Sequence, residues 1–338
     1  MNKYSIVSEL KDININDWEE FVINHPHGNI FQTSNFYQVY QQTKNHDPLI
    51  IVVLNSNKDI VGIQVSVTIK LYSNILSSLT SRSIIFGGPL ILNEEKEVLE
   101  VLLKEYIKKI KGKAIFSQFR NMHNWGSLNS SFKKFHIGYE DHLDIIFDLT
   151  KGEEQLWKEM KRVRRKGINQ SYKKNILIKQ IDLENKEVLI QAYTILESVY
   201  KRIKLPIPNK SYFSNIIKDN NKKVLSLGLY VDSNLVAVRL ALCYNNLVYD
   251  WYAGAKEEYL SYRPNDVLPW ELIKWGIKNK YKYFDFGGAG KPNIPYGVRD
   301  YKLKFGGKLV NYGRYEIVHK PVLMIIAKIG LKIKQMII

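Results

Sequence analysis

The stretch YDWYAGAKEEYLSYRPNDVLPWELIKWGIKNKYKYFDFGGAG (249–290), followed by GVRDYKLKFGG (297–307), decides the fold. An aromatic-rich strand leads through a loop into the helix LPWELIKWGIKNK (268–280), and KYFDFGG (282–288) is a second strand that ends in glycines. The Tyr-Lys-x-x-Phe-Gly-Gly element then sets Lys302 beside two aromatic walls, Tyr301 and Phe305, before Gly306 and Gly307.

Upstream, VLSLGLYVDSNLVAVRLALCYNNLVYDWYAG (224–254) reads as a strand pair, KEVLIQAYTILESVYKRI (186–203) as a helix, and LWKEMKRVRRKGINQSYKKN (156–175) as one basic helix. Leu156, Met160 and Val163 form the apolar stripe of that helix, with Arg162, Arg164 and Arg165 on the solvated side. Earlier still, LIIVVLN (49–55) and IVGIQVSVTIK (60–70) flank a polar turn as a hairpin, SIIFGGPLI (83–91) adds a strand, and Val98, Leu102, Tyr106 and Ile110 give helical spacing over 94–113. Asp17 is the expected cap of an opening helix, and a second helix starts at Ser34. Strands at 114–121 and 141–149 close this half, and a terminal strand over 309–318 closes the other. Both halves thus run helix, helix, hairpin, strand, helix, strand: an α+β unit used twice, with mixed sheets flanked by helices. The expected division is 1–149, 150–318, and a C-terminal amphipathic helix over 319–338 that docks on the first domain or lies at a membrane surface.

The chain carries 50 Lys plus Arg against 33 Asp plus Glu, a net charge of +17, which favours polyanionic partners: RNA, nucleotide diphosphates or an anionic membrane face. The single Cys243, in the strand-like LALCYNN, excludes an internal disulfide and reads as a buried thiol. The seven histidines are scattered without metal-ligand spacing, and Walker A, G-x-S-x-G and dinucleotide fingerprints are lacking. Neither a signal sequence nor an apolar run of bilayer length is present, so a cytoplasmic protein is expected, peripheral to the membrane at most. Chemistry must then rest on positioning and fixed charge. A lysine between aromatic walls can stabilise the oxyanion that develops when an acyl group passes to an amine.

YKLKFGG, with FDFGG and GVRD before it, is similar to the F-K-x-x-F-G element of the FemABX transferases, with Tyr301 in place of their Phe. The resemblance extends in element order over nearly the whole chain and implies tandem GNAT-like domains. It also implies an acyltransferase that moves an amino acid from aminoacyl-tRNA to an amine of a peptidoglycan precursor, with no permanently bound cofactor. Lys302 and Tyr301 inherit the catalytic position. Arg202 in VYKRIKLPIP corresponds to an arginine that contacts the precursor's diphosphate, while Tyr252 and Arg263 belong to the substrate-lining loop. Asp285, Arg299 and Phe305 flank the site, Asp285 either capping a turn, pairing with Arg299 or acting directly. Tyr40, within GNIFQTSNFYQVYQ (28–41), stands near where peptidoglycan-modifying members carry a lysine. Arg162, Arg164 and Arg165 are the expected tRNA contacts. Two alternatives remain open: an acyl-CoA-dependent N-acyltransferase acting on an amino sugar or lipid-linked glycan, and a non-catalytic basic adaptor for nucleic acid or membrane.

Overall fold

The computed structural model describes residues 3–70, 81–220, 223–327 and 329, and the chain divides into two compact units, residues 1–141 with 312–338 and residues 142–311. The first unit opens with β1 (Ser5–Val7), α1 (Ile15–Asn24) and α2 (Ser34–Gln42). Asn14 caps α1 by accepting from the Asn16 N–H, and Thr33 caps α2. Asp17, the expected cap, lies instead in the first turn of α1, where its charge faces the positive end of the helix dipole.

The hairpin β2 (His46–Leu54) and β3 (Ile60–Ile69) follows, then β4 (Arg82–Gly87), β5 (Leu90–Ile91), α3 (Lys96–Ile110), β6 (Phe116–Asn121), α4 (Asn129–Lys134) and β7 (Gly138–Glu140). The helical stripe Val98, Leu102, Tyr106 and Ile110 is buried as its spacing predicts, in one core with Ile51, Val53, Ile85 and Phe119. β4 and β6 run parallel through six registered pairs, from Arg82↔Phe116 to Gly87↔Asn121.

The second unit contains β8 (Leu143–Asp148), α5 (Gly152–Glu159), α6 (Arg162–Tyr172), β9 (Leu177–Gln180), α7 (Lys186–Arg202), α8 (Lys210–Asn220), β10 (Val224–Val231), β11 (Asn234–Tyr244), β12 (Leu247–Ala255), α9 (Pro264–Lys278), β13 (Tyr283–Asp285), α10 (Gly297–Leu303) and β14 (Lys308–Asn311). Its seven-stranded sheet has the order β14-β8-β13-β12-β11-β10-β9. The last strand, β15 (Arg314–Val318), belongs to the first sheet, whose order is β1-β2-β3-β4-β6-β15-β7 with β5 beside β3.

The boundaries therefore differ from those expected at 149 and 318. Residues 143–148 do not close the first sheet; they pair with β13 and β14 in the second. The run 309–318 is two strands, separated at Gly313, whose φ of 65° suits glycine. Alternation tells which face of a strand is apolar, not which strand lies beside it. Leu143, Ile145 and Phe147 complete the second core, whereas Tyr315 stacks on Phe132 at 3.9 Å in the first. Residues 321–327 are helical, and the rest of the expected helix over 319–338 lies largely outside the described residues.

Candidate active site

Where β12 and β13 part company, the second sheet opens. The two strands pair in parallel only from Leu247↔Tyr283 to Tyr249↔Asp285. β12 then bulges against β11 at Leu240/Ala241 and continues to Ala255, while β13 ends and the chain turns through Gly287 with φ at 75°. Lys302 enters this gap from the last turn of α10. Its ammonium donates to the carbonyls of Phe286 (2.5 Å), Gly287 (3.0 Å) and Gly288 (3.1 Å), and lies 5.3 Å from the centre of the Phe286 ring. The φ of 75° at Gly287 suits glycine, and a Cβ there would meet Nζ only at ordinary contact distance, 3.6 Å. Burial pushes the lysine below its ordinary pKa, and the charges of Asp250 and Asp144 act the other way.

Beneath lies a buried ion pair. Arg239 grips Asp250 with Nε at 2.8 Å and Nη2 at 2.6 Å, with side chains only 5% and 10% exposed. Burial disfavours the guanidinium charge, but Asp250 and Tyr301 together outweigh it, leaving Arg239 above its usual pKa. Sequence reading passed over this pair. Its one signal is an arginine in the otherwise apolar run LVAVRLALC, since β11 is buried from Leu235 onward.

Tyr301 is held by a proline. Pro269 within α9 has no N–H to give the carbonyl of Asn265, and that carbonyl accepts the Tyr301 hydroxyl instead. Burial raises the Tyr301 pKa, so the phenol is neutral. Arg164 packs over the rings of Tyr301 (5.2 Å) and Phe305 (5.9 Å) and pairs with the buried Asp266. This corrects the single basic helix expected over 156–175. The chain breaks between α5 and α6 at Met160 and Lys161, and Val163 is 52% exposed, while Gly167 and Ile168 take the inner face. The glycine of RRKGIN is needed there, because a Cβ at Gly167 would lie 2.1 Å from Oδ2 of Asp266.

With Arg164 turned inward, the outward side of α5 and α6 forms a concavity of about 470 Å³. Trp157, Arg162, Arg165, Lys166, Asn169 and Lys173 line it, and no carboxylate does.

Asp285 is 2% exposed and caps the glycine turn, Oδ1 accepting from the Gly287 N–H at 2.7 Å. Burial first, and the neighbouring Asp144 second, hold its carboxyl well above the usual range. Arg299 does not pair with it; the guanidinium clasps the following loop through the carbonyls of Lys291 (2.6 Å) and Ile294 (2.8 Å). Phe305 is buried against Phe286, and it is Phe286 whose ring lies beside the Lys302 ammonium. Tyr252 sits among Tyr200, Phe213 and Trp251. Arg202 forms a surface pair with Glu257 at 2.8 Å. Arg263 is exposed in the left-handed region before α9. Tyr40 is a core residue of the first unit, between Phe36 and His46. Cys243 is a buried thiol, burial pushing its pKa up to about 12. Among the described residues no group of three or more His, Cys, Asp or Glu could hold a metal ion.

Residues 159–303 match the family profile of the GNAT acetyltransferase domain, and no curated protein matches the chain. Among solved structures, that of FemX covers 95% of this chain and 100% of its own, with a TM-score of 0.72 at 14% identity. The C-terminal domain of a putative lysylphosphatidylglycerol synthetase from Agrobacterium fabrum covers 90% and 91%, with a TM-score of 0.58 at 11% identity. A tandem GNAT protein from the clavulanic acid biosynthesis pathway covers 94% and 98%, with a TM-score of 0.59 at 8% identity. The fold is a tandem GNAT-like α+β fold of the FemX kind, and its second unit carries an acyltransferase-type domain.

Proposed function

We propose that the chain transfers an aminoacyl group from aminoacyl-tRNA to an amine of a peptidoglycan precursor or another lipid-linked glycan, at the opening between β12 and β13. The observation that carries this reading is the half-buried ammonium of Lys302 at the parting of two parallel strands, on a glycine turn that lets a ligand approach backbone. All its near contacts are backbone carbonyls, and the one to Gly288 is the longest. Exchanging that carbonyl for the oxyanion of the tetrahedral state moves the ammonium little and places full charge where negative charge develops. The Phe286 ring walls the lysine, with Tyr301 and Phe305 packed behind that ring, and Tyr252 with its aromatic neighbours offers a face to the substrate.

The basic concavity of α5 and α6 favours a polyanionic donor. Arg162 and Arg165 fit the tRNA role there, and Arg164 instead secures the core. The likeness to FemX and to a lysylphosphatidylglycerol synthetase domain agrees with a donor and acceptor of this class, and no helix among the described residues is long and apolar enough to cross a membrane. On this reading the protein works on the cytoplasmic side, at the face of the membrane. A second reading, transfer from acyl-CoA, draws on the acetyltransferase profile and on exposed Arg263 at the N-terminus of α9, a place suited to pyrophosphate.

Incubation with a mixed aminoacyl-tRNA pool and, separately, with acyl-CoA, using UDP-linked and lipid-linked muramoyl pentapeptide as acceptors, decides between the two by mass spectrometry. A product from the tRNA pool alone supports the first reading, one from acyl-CoA alone the second, and none from either removes both. Replacing Arg162, Arg165 and Lys166 by Gln lowers the salt slope of tRNA binding, because each neutralised phosphate releases counterions; an unchanged slope takes the tRNA off this surface.

A further inference from the structure

Asp144 has no part in the reading so far, yet it stands at the mouth of the same opening. β8 and β13 are antiparallel with Asp285 opposite Ile146, so Asp144, two residues along, shares the sheet face of Asp285, and it faces the turn of Gly287 and Gly288, which lies between the bonds of Phe286 to Ile145 and of Ala289 to Leu143. Asp285 is buried and Asp144 half-buried, so the outer carboxyl alone reaches toward solvent. Gly287 puts no side chain in front of the pair, and the Lys302 ammonium lies on the same turn.

We propose that Asp144 is the proton acceptor for the attacking amine, with Asp285 behind it holding the pair's shared proton. The inference rests on the acyl-transfer reading above. Of two carboxyls on one sheet face, the one that is buried is the one that favours keeping its proton. The raised pKa of Asp285, for which Asp144 is the second cause after burial, agrees with that division.

The step balances. The amine nitrogen uses its lone pair to attack the acyl carbon, and the carbonyl π pair moves to oxygen beside Lys302. The nitrogen's extra proton passes to the Asp144 carboxylate. The oxyanion re-forms the carbonyl and expels the donor's ribose oxygen, which takes the proton from Asp144. Amide and alcohol leave, and the carboxylate is restored. An alkoxide leaving group needs that returned proton, whereas a phenolate does not.

The test uses the full chain with a mixed aminoacyl-tRNA pool and, as a donor with a good leaving group, nitrophenyl esters of the same amino acids, with the muramoyl pentapeptide as acceptor. Asp144→Asn, which keeps the shape, is expected to lower single-turnover amide formation from tRNA by about 100-fold. The loss should be much smaller with the nitrophenyl esters, and acceptor KM and Tm should stay at wild-type values. A folded Asp144→Asn protein with the wild-type rate, or an equal loss with both donors, overturns the proposal. Infrared spectra provide a readout that does not depend on turnover. Wild type at neutral pH should show a protonated carboxyl band that disappears in Asp285→Asn, and its absence from wild type overturns the shared proton. Failure of wild type to transfer from either donor removes the acyl-transfer reading and this inference together, an outcome distinct from transfer that survives the substitution.

Discussion

The two sheets repeat one motif, strand–helix–parallel strand, and treat its end differently. In the first unit β4 and β6 stay paired through six registered positions, and Gln32 bridges β4 to its other neighbour β3, beyond their last registered pair: Nε2 donates to the carbonyls of Phe86 (2.8 Å) and Val65 (3.2 Å), and Oε1 accepts from the Val65 N–H at 2.7 Å. In the second unit the equivalent strands separate after Asp285, and the gap holds Lys302, Arg239, Asp250 and the carboxyl pair. A neutral amide that satisfies backbone groups closes a sheet; buried charges on a glycine turn open one to chemistry. The repeated architecture therefore carries a candidate reaction site in the second unit alone among the described residues, with Gln32 serving stability in the first.

The largest effect should come from breaking the buried pair. Arg239→Met leaves Asp250 charged and without its guanidinium, and should destabilise the protein by about 3–5 kcal/mol in denaturant unfolding; a loss under 1 kcal/mol would mean that Asp250 finds other solvation.

Next comes Lys302→Met, expected to lower turnover about 100-fold, near 3 kcal/mol of transition-state stabilisation, in a protein that remains folded. Because burial lowers the pKa of Lys302, wild-type activity should also fall on the alkaline side at a pH below the ordinary lysine range, as the needed charge is lost. An unchanged single-turnover rate in the folded variant takes Lys302 out of the mechanism.

Gln32→Ala sharpens the contrast from the other side. It should cost about 1–3 kcal/mol of stability by leaving backbone groups of Val65 and Phe86 without their partner, with the chemical step unaffected. A selective loss of single-turnover rate at wild-type stability would give the first unit a chemical role.

The smallest effect is a pH slope. His123, stacked on His27 at 3.9 Å in the first unit, is held down to about 3, by burial first and by His27 and His25 after it. The folded state keeps it neutral while the unfolded chain protonates it below about pH 6.5, so stability is full above that value and declines as pH falls toward 3. His123→Phe should remove roughly 1 kcal/mol of this loss at pH 5.5, seen as a flatter dependence of Tm on pH; parallel curves would assign the acid sensitivity elsewhere.

Element order, the α+β class and the GNAT-like plan were determined by the sequence, because periods of 2 and 3.6 and the punctuation by Gly and Pro are local properties. Lys302 stood out because Tyr301, Phe305 and Gly306 are adjacent to it in the chain, whereas its contacts in the fold are the distant Phe286, Gly287 and Gly288. Three things were not legible. β8 and β15 lie in opposite sheets from those expected, Arg164 turns inward on Asp266, and Arg239 with Asp250 and Asp144 with Asp285 meet across strands. Each depends on which strand or helix lies beside which. That is decided by long-range register and by the energy of burying charge, and a one-dimensional pattern of apolar and polar residues records only the face each residue presents.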